Sequence, residues 1–132
     1  MKKYFLIFIL SLSGFWYLSA QSLTVRVENV DTGQGYLMVG IFNDETTFPN
    51  TDYKGKRVAT SDRIVTVTFF DLPVGQYAVS VYQDSNDNGK LDTGLFGVPK
   101  EKYGFSSGGR RPNYRDSLFD FNGDQTITIL IK

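Results

Sequence analysis

Ile64-Val65-Thr66-Val67-Thr68-Phe69-Phe70, then Asp71-Leu72-Pro73-Val74-Gly75-Gln76, then Tyr77-Ala78-Val79-Ser80-Val81-Tyr82: this stretch decides the fold. Val65, Val67 and Phe69 fall at every second position, as do Tyr77, Val79 and Val81. Period two is the repeat of a strand with one face on a core and one toward water. Between the two runs Pro73 presets its φ and Gly75 carries no Cβ, so the chain turns there. The β-branched and aromatic content of both runs favours pleated backbone over helix.

The same rhythm extends in both directions. Upstream, Leu23, Val25 and Val27 share one face, with Thr24, Arg26 and Glu28 on the other. Asp31-Thr32-Gly33-Gln34-Gly35 breaks that strand before Tyr36 to Phe42 resumes as a second. A looser segment with Pro49 and Gly55 follows, and a short strand is expected around Arg57 to Thr60. Downstream, Leu118, Phe119 and Phe121 precede an Asn122-Gly123-Asp124 turn, and Ile127, Ile129 and Ile131 alternate to the end. About seven short strands separated by Gly, Pro, Asn and Asp turns predict an all-β, antiparallel two-sheet sandwich. No segment of length carries helical spacing. From Ser85 to Arg115 the alternation lapses, so residues 85–115 read as one long loop, and loops of that length are usually functional.

The first twenty residues read as a cleaved signal peptide. Lys2 and Lys3 precede an apolar run from Tyr4 to Leu18, closed by Ser19-Ala20, and Ser11, Ser13 and Gly14 interrupt it. The run falls short of the ~20 apolar residues of a membrane span. Cleavage after Ala20 leaves residues 21–132 as a single β-sandwich domain, exported to the periplasm or beyond and not spanning the membrane. Loss of Lys2 and Lys3 takes the formal charge from 0 to −2. So balanced a charge leaves no footprint for nucleic acid. With no cysteine among its 132 residues, the chain has neither disulfides nor a cysteine-linked lipid anchor.

The chemistry-bearing motif is Asp84-Ser85-Asn86-Asp87-Asn88-Gly89-Lys90-Leu91-Asp92. Oxygen side chains at alternate residues, followed by a glycine for the sharp turn, suit calcium, which takes six to eight oxygens in flexible geometry. Asp84 takes the first position, Asn86 the third and Asn88 the fifth. The Lys90 carbonyl takes the seventh, and Asp92 the ninth. Leu95 stands at the twelfth, where a helix-loop-helix site carries a bidentate Glu, so a helical calcium sensor is excluded. With two formal anions the expected affinity is weak, on the order of 10⁻⁴ to 10⁻³ M. The competing reading is a hairpin turn, since Asn88-Gly89 is a strong turn signal and Asp and Asn side chains bond local backbone.

Leu72-Pro73-Val74-Gly75-Gln76-Tyr77-Ala78-Val79, the Asp84 to Asp92 loop, and Gly97-Val98-Pro99-Lys100-Glu101-Lys102-Tyr103-Gly104-Phe105-Ser106 together resemble a bacterial family of exported domains, domain of unknown function 2141. The likeness covers nearly all of the chain after residue 20. It implies an immunoglobulin-like or prealbumin-like β-sandwich and no assigned activity. Separately, the Asp84 to Asp92 loop resembles calcium loops in B-type repeats of bacterial surface adhesins. That likeness implies ligands at the third, fifth and ninth positions and leaves the twelfth unassigned.

Beyond the acidic loop, Lys100, Lys102, Arg110, Arg111 and Arg115 are interleaved with Tyr103, Phe105 and Tyr114. As a binding surface, Tyr103, Phe105 and Tyr114 would stack on an envelope polysaccharide or protein partner, with Arg110 and Arg111 as planar donors. The plainer reading makes the rings a satellite core that plugs the sandwich and leaves the cations solvated. The chain has no histidine, which removes imidazole bases, Ser-His-Asp triads and imidazole metal ligands, and lack of cysteine removes thiol nucleophiles. Paired-carboxylate hydrolysis remains, with Asp92 beside Glu101 or Asp116. The expectation is a non-catalytic, exported, calcium-stabilised β-sandwich with a binding or structural role in the cell envelope. The alternatives are a carbohydrate- or peptide-binding accessory domain and, behind it, a carboxylate-dependent hydrolase.

Overall fold

The computed structural model describes residues 21–93 and 99–132. Residues 1–20, expected as a signal peptide, and Leu95, Gly97 and Val98 of the loop, lie outside the described residues. Eight strands and one helical turn follow in chain order. They are β1 (Leu23–Glu28), β2 (Tyr36–Phe42), β3 (Lys54–Ala59), β4 (Ile64–Phe69), β5 (Gly75–Asp84), β6 (Tyr103–Phe105), α1 (Tyr114–Ser117), β7 (Phe119–Phe121) and β8 (Gln125–Leu130). They form a β-sandwich of two sheets, β4-β1-β8 and β3-β2-β5-β6, with β7 also paired to β5.

The alternation sorts the side chains as read. Leu23, Val25 and Val27 of β1 meet Val67 and Phe69 of β4 and Ile129 and Ile131 of the C-terminal segment; from the other sheet come Leu37, Val39, Ile41, Tyr77, Val79 and Val81. Each fully buried aliphatic or aromatic side chain contributes about 1.5–3 kcal/mol, so one shared core accounts for the apposition of the sheets without any crosslink. The Pro73 turn is no hairpin: β4 and β5 lie in different sheets, and the turn carries the chain across the core.

Two features of the topology depart from simple antiparallel alternation. β1 pairs antiparallel with β4 but parallel with β8, Val25 standing opposite Val67 on one side and Ile127 on the other. The segment expected as an unbroken loop over 85–115 contains β6, which pairs antiparallel with β5 through Ser80–Phe105 and Tyr82–Tyr103, and it runs into α1 at Tyr114. A three-residue strand with a central glycine leaves too short an alternation to read, and its partner is some twenty residues away. β6 also joins the sheets along one side: Tyr103 and Lys132 exchange backbone hydrogen bonds of 3.3 and 3.2 Å. On the opposite side Lys56 reaches from β3 to the Thr68 carbonyl of β4 at 2.6 Å. No helix among the described residues is long and apolar enough to cross a membrane.

Residues of the Pro-Lys-Glu-x-Tyr-Gly-Phe-Ser stretch have structural work. A Cβ on Gly104 would stand 2.8 Å from an Ile129 methyl and 2.9 Å from the Leu130 carbonyl, so only glycine lets β6 lie this close to β8. The Ser106 hydroxyl accepts from the Val79 N–H at 2.9 Å and donates to the Ser117 carbonyl at 2.6 Å. It thereby fills the gap along β5 between the pairings to β7 and β6.

Candidate metal centre

β5 ends in two fully buried polar residues, Gln83 and Asp84. Gln83 points into the sandwich, where an amide without partners would cost several kcal/mol. Its Oε1 accepts from the Asp31 N–H at 2.9 Å, and its Nε2 donates to the carbonyls of Asp31 at 2.8 Å and Gln34 at 2.7 Å. The β1–β2 turn is thus strapped to the base of the acidic loop. Gly35, at φ +67°, lies against the Asp84 backbone so closely that no Cβ fits. Lys102 adds a third tie, donating to Asp31 Oδ1 at 2.8 Å and the Asn29 carbonyl at 3.0 Å.

From this base the acidic loop folds inward. Asp84 Oδ1 accepts from the Asn88 N–H at 3.0 Å and Oδ2 from the Gly89 N–H at 2.7 Å. Asp87 at φ +57° and Gly89 at φ +81° supply the left-handed steps that aim those N–H groups at the carboxylate. Asn88 Oδ1 accepts from the Lys90 N–H at 3.1 Å. The amides of Asn86 and Asn88 both donate to the Asp92 carboxylate, the latter at 2.6 Å. Asn86 and Asn88, both exposed, therefore meet Asp92 through their amide N–H groups, and Asp84 holds the turn between them. The Lys90 side chain makes no hydrogen bond among the described residues; its expected contribution was its carbonyl.

Glu101, expected only as a hydrolytic partner of Asp92, braces the loop instead. Its Oε2 accepts from the Ser85 N–H at 2.7 Å and its Oε1 from the Asp92 N–H at 2.8 Å, so one carboxylate clamps both limbs of the loop. The Lys100 N–H donates to the Asp92 carbonyl at 2.7 Å, and Thr93 bridges Pro99. No local spacing signals such a brace, because it spans sixteen residues; Glu101 stood out only as a possible carboxylate partner of Asp92 and within the family-like Pro-Lys-Glu stretch. Arg57 of β3 reaches Asp87 at 2.6 Å, which raises the guanidinium's already high pKa. The Tyr82 hydroxyl donates to the Gly89 carbonyl at 3.1 Å. Burial, then the nearby Asp84, Glu101 and Asp52, push the Tyr82 pKa up, so this donor keeps its proton through neutral pH.

As a donor set the loop is all oxygen, which fits a hard cation. It is modest in charge. Among the described residues no three His, Cys, Asp or Glu side chains cluster as metal ligands. The candidate donors are two carboxylates, two amides and the Lys90 carbonyl.

The aromatic residues singled out as a binding surface are engaged with the protein itself. The Arg110 guanidinium lies over the Tyr103 ring at 3.9 Å; Arg110 Nη1 donates to the Tyr103 carbonyl, and the Tyr103 hydroxyl donates to that of Arg110. Phe105 is buried. Phe48 packs on Phe105 at 5.8 Å, on Tyr114 at 5.6 Å and on Phe42 at 5.1 Å between ring centroids. Arg111 is exposed and makes no hydrogen bond among the described residues. Asp116 sits in the first turn of α1, which Asn113 caps.

A family model described as an uncharacterized protein conserved in bacteria (DUF2141) matches residues 25–129. No curated protein and no solved structure matches the chain.

Proposed function

The chain belongs to the bacterial DUF2141 family, and from its site we propose that it is a non-catalytic, exported β-sandwich module whose acidic loop takes calcium as a structural staple in the cell envelope. The observation that carries this reading is the convergence of Asn86, Asn88 and Asp92 on a turn capped by Asp84 and clamped by Glu101. Asp84, Asn86, Asn88, Asp92 and the Lys90 carbonyl are the residues that would hold the ion. When bound, calcium supplies a charge that draws these oxygens together and does no bond-making chemistry.

The chain's own residues prepare the loop. Asp84 spends one lone pair of each oxygen on the turn and keeps others, since a carboxylate has about four acceptor sites. The amides of Asn86 and Asn88 present oxygen after a half-turn, in exchange for their hydrogen bonds to Asp92 and, for Asn88, the one its Oδ1 accepts from the Lys90 N–H. Glu101 holds Ser85 and Asp92 in place whichever way the amides face. Hydrolysis by Asp92 with Glu101 draws little support, because both Glu101 oxygens are committed to backbone N–H groups. A carbohydrate platform at Tyr103 and Phe105 draws little for a similar reason: one ring is covered by Arg110 and the other is buried.

Calorimetric titration of the full chain tests the reading. Calcium is expected to bind at one site with a dissociation constant on the order of 10⁻⁴ to 10⁻³ M, and Asp92→Asn to weaken it at least tenfold. Magnesium, which demands near-ideal octahedral geometry, is expected to bind more weakly. No calcium heat and no change in melting midpoint between calcium and chelator would remove the staple.

A further inference from the structure

The outer face of the larger sheet carries a trough of about 410 Å³, within the range of small-molecule sites. Its floor is a cross-strand row without bulky side chains: Gly55 of β3 opposite Gly40 of β2, and Gly40 opposite Ser80 of β5. Met38, Phe42 and Tyr82 give it apolar walls, and Asp52 lies over the two glycines. A Cβ on Gly40 would meet the Asp52 side chain at 3.2 Å, and one on Gly55 would collide with its carboxylate. The paired glycines are therefore the space in which that carboxylate rests.

Asp52 is held but not neutralised. Its loop is tied by the Tyr53 N–H to the Ile41 carbonyl at 2.7 Å and by Asn50 and Thr51 N–H groups to the Thr47 carbonyl, and Phe48 anchors it in the aromatic cluster. Among the described residues Asp52 accepts no hydrogen bond and forms no ion pair. The two cations that line the trough are committed elsewhere. Lys56 turns to Thr68 and lies over Phe69 and Phe70; Arg57 lies over Tyr36 at 3.6 Å and pairs with Asp87. Tyr82 lines the trough, and no other aromatic ring stacks on it among the described residues.

From this charge pattern we infer that the trough binds a small organic ammonium, a cationic nitrogen carried on an apolar stem. The ammonium pairs with Asp52, and the stem lies against Tyr82 and Met38, where a ring face adds cation–π attraction and thioether contact. Asp52 is exposed, so an anionic ligand would meet its charge and a neutral one would gain no ion pair from it. The site is separate from the acidic loop, and the inference does not require calcium there.

Met38 supplies the reporter. It is one of two methionines in the chain, the other being Met1, so methyl-labelled methionine gives one signal from the trough. The full chain is titrated with n-butylammonium, 1-butanol and butyrate, each in calcium and again in chelator. Butylammonium is expected to shift the Met38 methyl saturably in both buffers. Butanol and butyrate are expected to bind at least tenfold more weakly, as is butylammonium to Asp52→Asn. Asp62→Asn, an exposed change away from the trough, leaves binding intact. Equal binding of butanol, undiminished binding to Asp52→Asn, or no saturable shift with butylammonium overturns the inference. So does a lysine-containing tetrapeptide that binds where butylammonium does not.

Discussion

Replacing Asp84 by Asn separates the two duties assigned to that residue. Asp84 is fully buried, and its oxygens take the N–H groups of Asn88 at 3.0 Å and Gly89 at 2.7 Å. Asparagine keeps one of those acceptors and turns an NH₂ toward the other N–H. One hydrogen bond to a charged group is lost, about 1.5–3 kcal/mol. For about 110 folded residues the unfolding entropy is roughly 0.23 kcal/mol/K, so a loss of ~2 kcal/mol lowers the melting midpoint by roughly 9 °C in chelator. Calcium at ten times its dissociation constant adds ~1.4 kcal/mol to the wild type, or roughly 6 °C. In Asp84→Asn that increment is expected to vanish, because the first-position anion is gone. Thermal unfolding followed by far-ultraviolet circular dichroism, in calcium and in chelator, reads both quantities from four curves. A variant within ~2 °C of wild type in chelator refutes the capping argument. An undiminished calcium increment in the variant refutes the assignment of Asp84 to the ion.

Two other substitutions test how the loop is held. Gly35→Ala places a Cβ into the Asp84 backbone at a φ of +67°; it is expected to destabilise by at least ~3 kcal/mol in urea unfolding and to reduce the calcium increment, whereas a near-neutral result would show that the β1–β2 turn can withdraw freely. Gln83→Leu strands Asp31 N–H and the Asp31 and Gln34 carbonyls behind a side chain of similar size; a loss of about 3–5 kcal/mol is expected, with amide exchange at Asp31 accelerated, and unchanged exchange would argue against the strap.

Much of the sandwich was legible because side-chain direction along a strand is a local property. Once Val65, Val67 and Phe69, or Tyr77, Val79 and Val81, are seen to alternate, their common face follows, and the core contains all six except the half-buried Val65 at its margin. The short strand expected around Arg57 to Thr60 lies at Lys54–Ala59, shifted because its outward residues hide the alternation. β6 was invisible for another reason: Tyr103–Phe105 is held by backbone pairing to β5, by hydrogen bonds to Lys132 and by the absence of a Cβ at Gly104, none of which leaves a periodic trace. At the candidate centre, spacing singled out Asp84, Asn86, Asn88, Lys90 and Asp92. It did not disclose that Glu101 braces them, nor that Tyr103 is covered by Arg110.

By itself the order of residues established what each segment can do locally. It set which faces are apolar, where the chain must turn, and that Asp84 to Asp92 offers oxygens at alternate positions around a glycine. Those properties depend on φ, ψ and neighbours within a few residues. Tertiary structure alone decided the parallel pairing of β1 with β8, the clamp of Glu101 on Ser85 and Asp92, and the resting of Asp52 over Gly40 and Gly55. Each joins groups distant along the chain or in different strands. Register and close approach come from the packing of the whole core, and no local pattern encodes them.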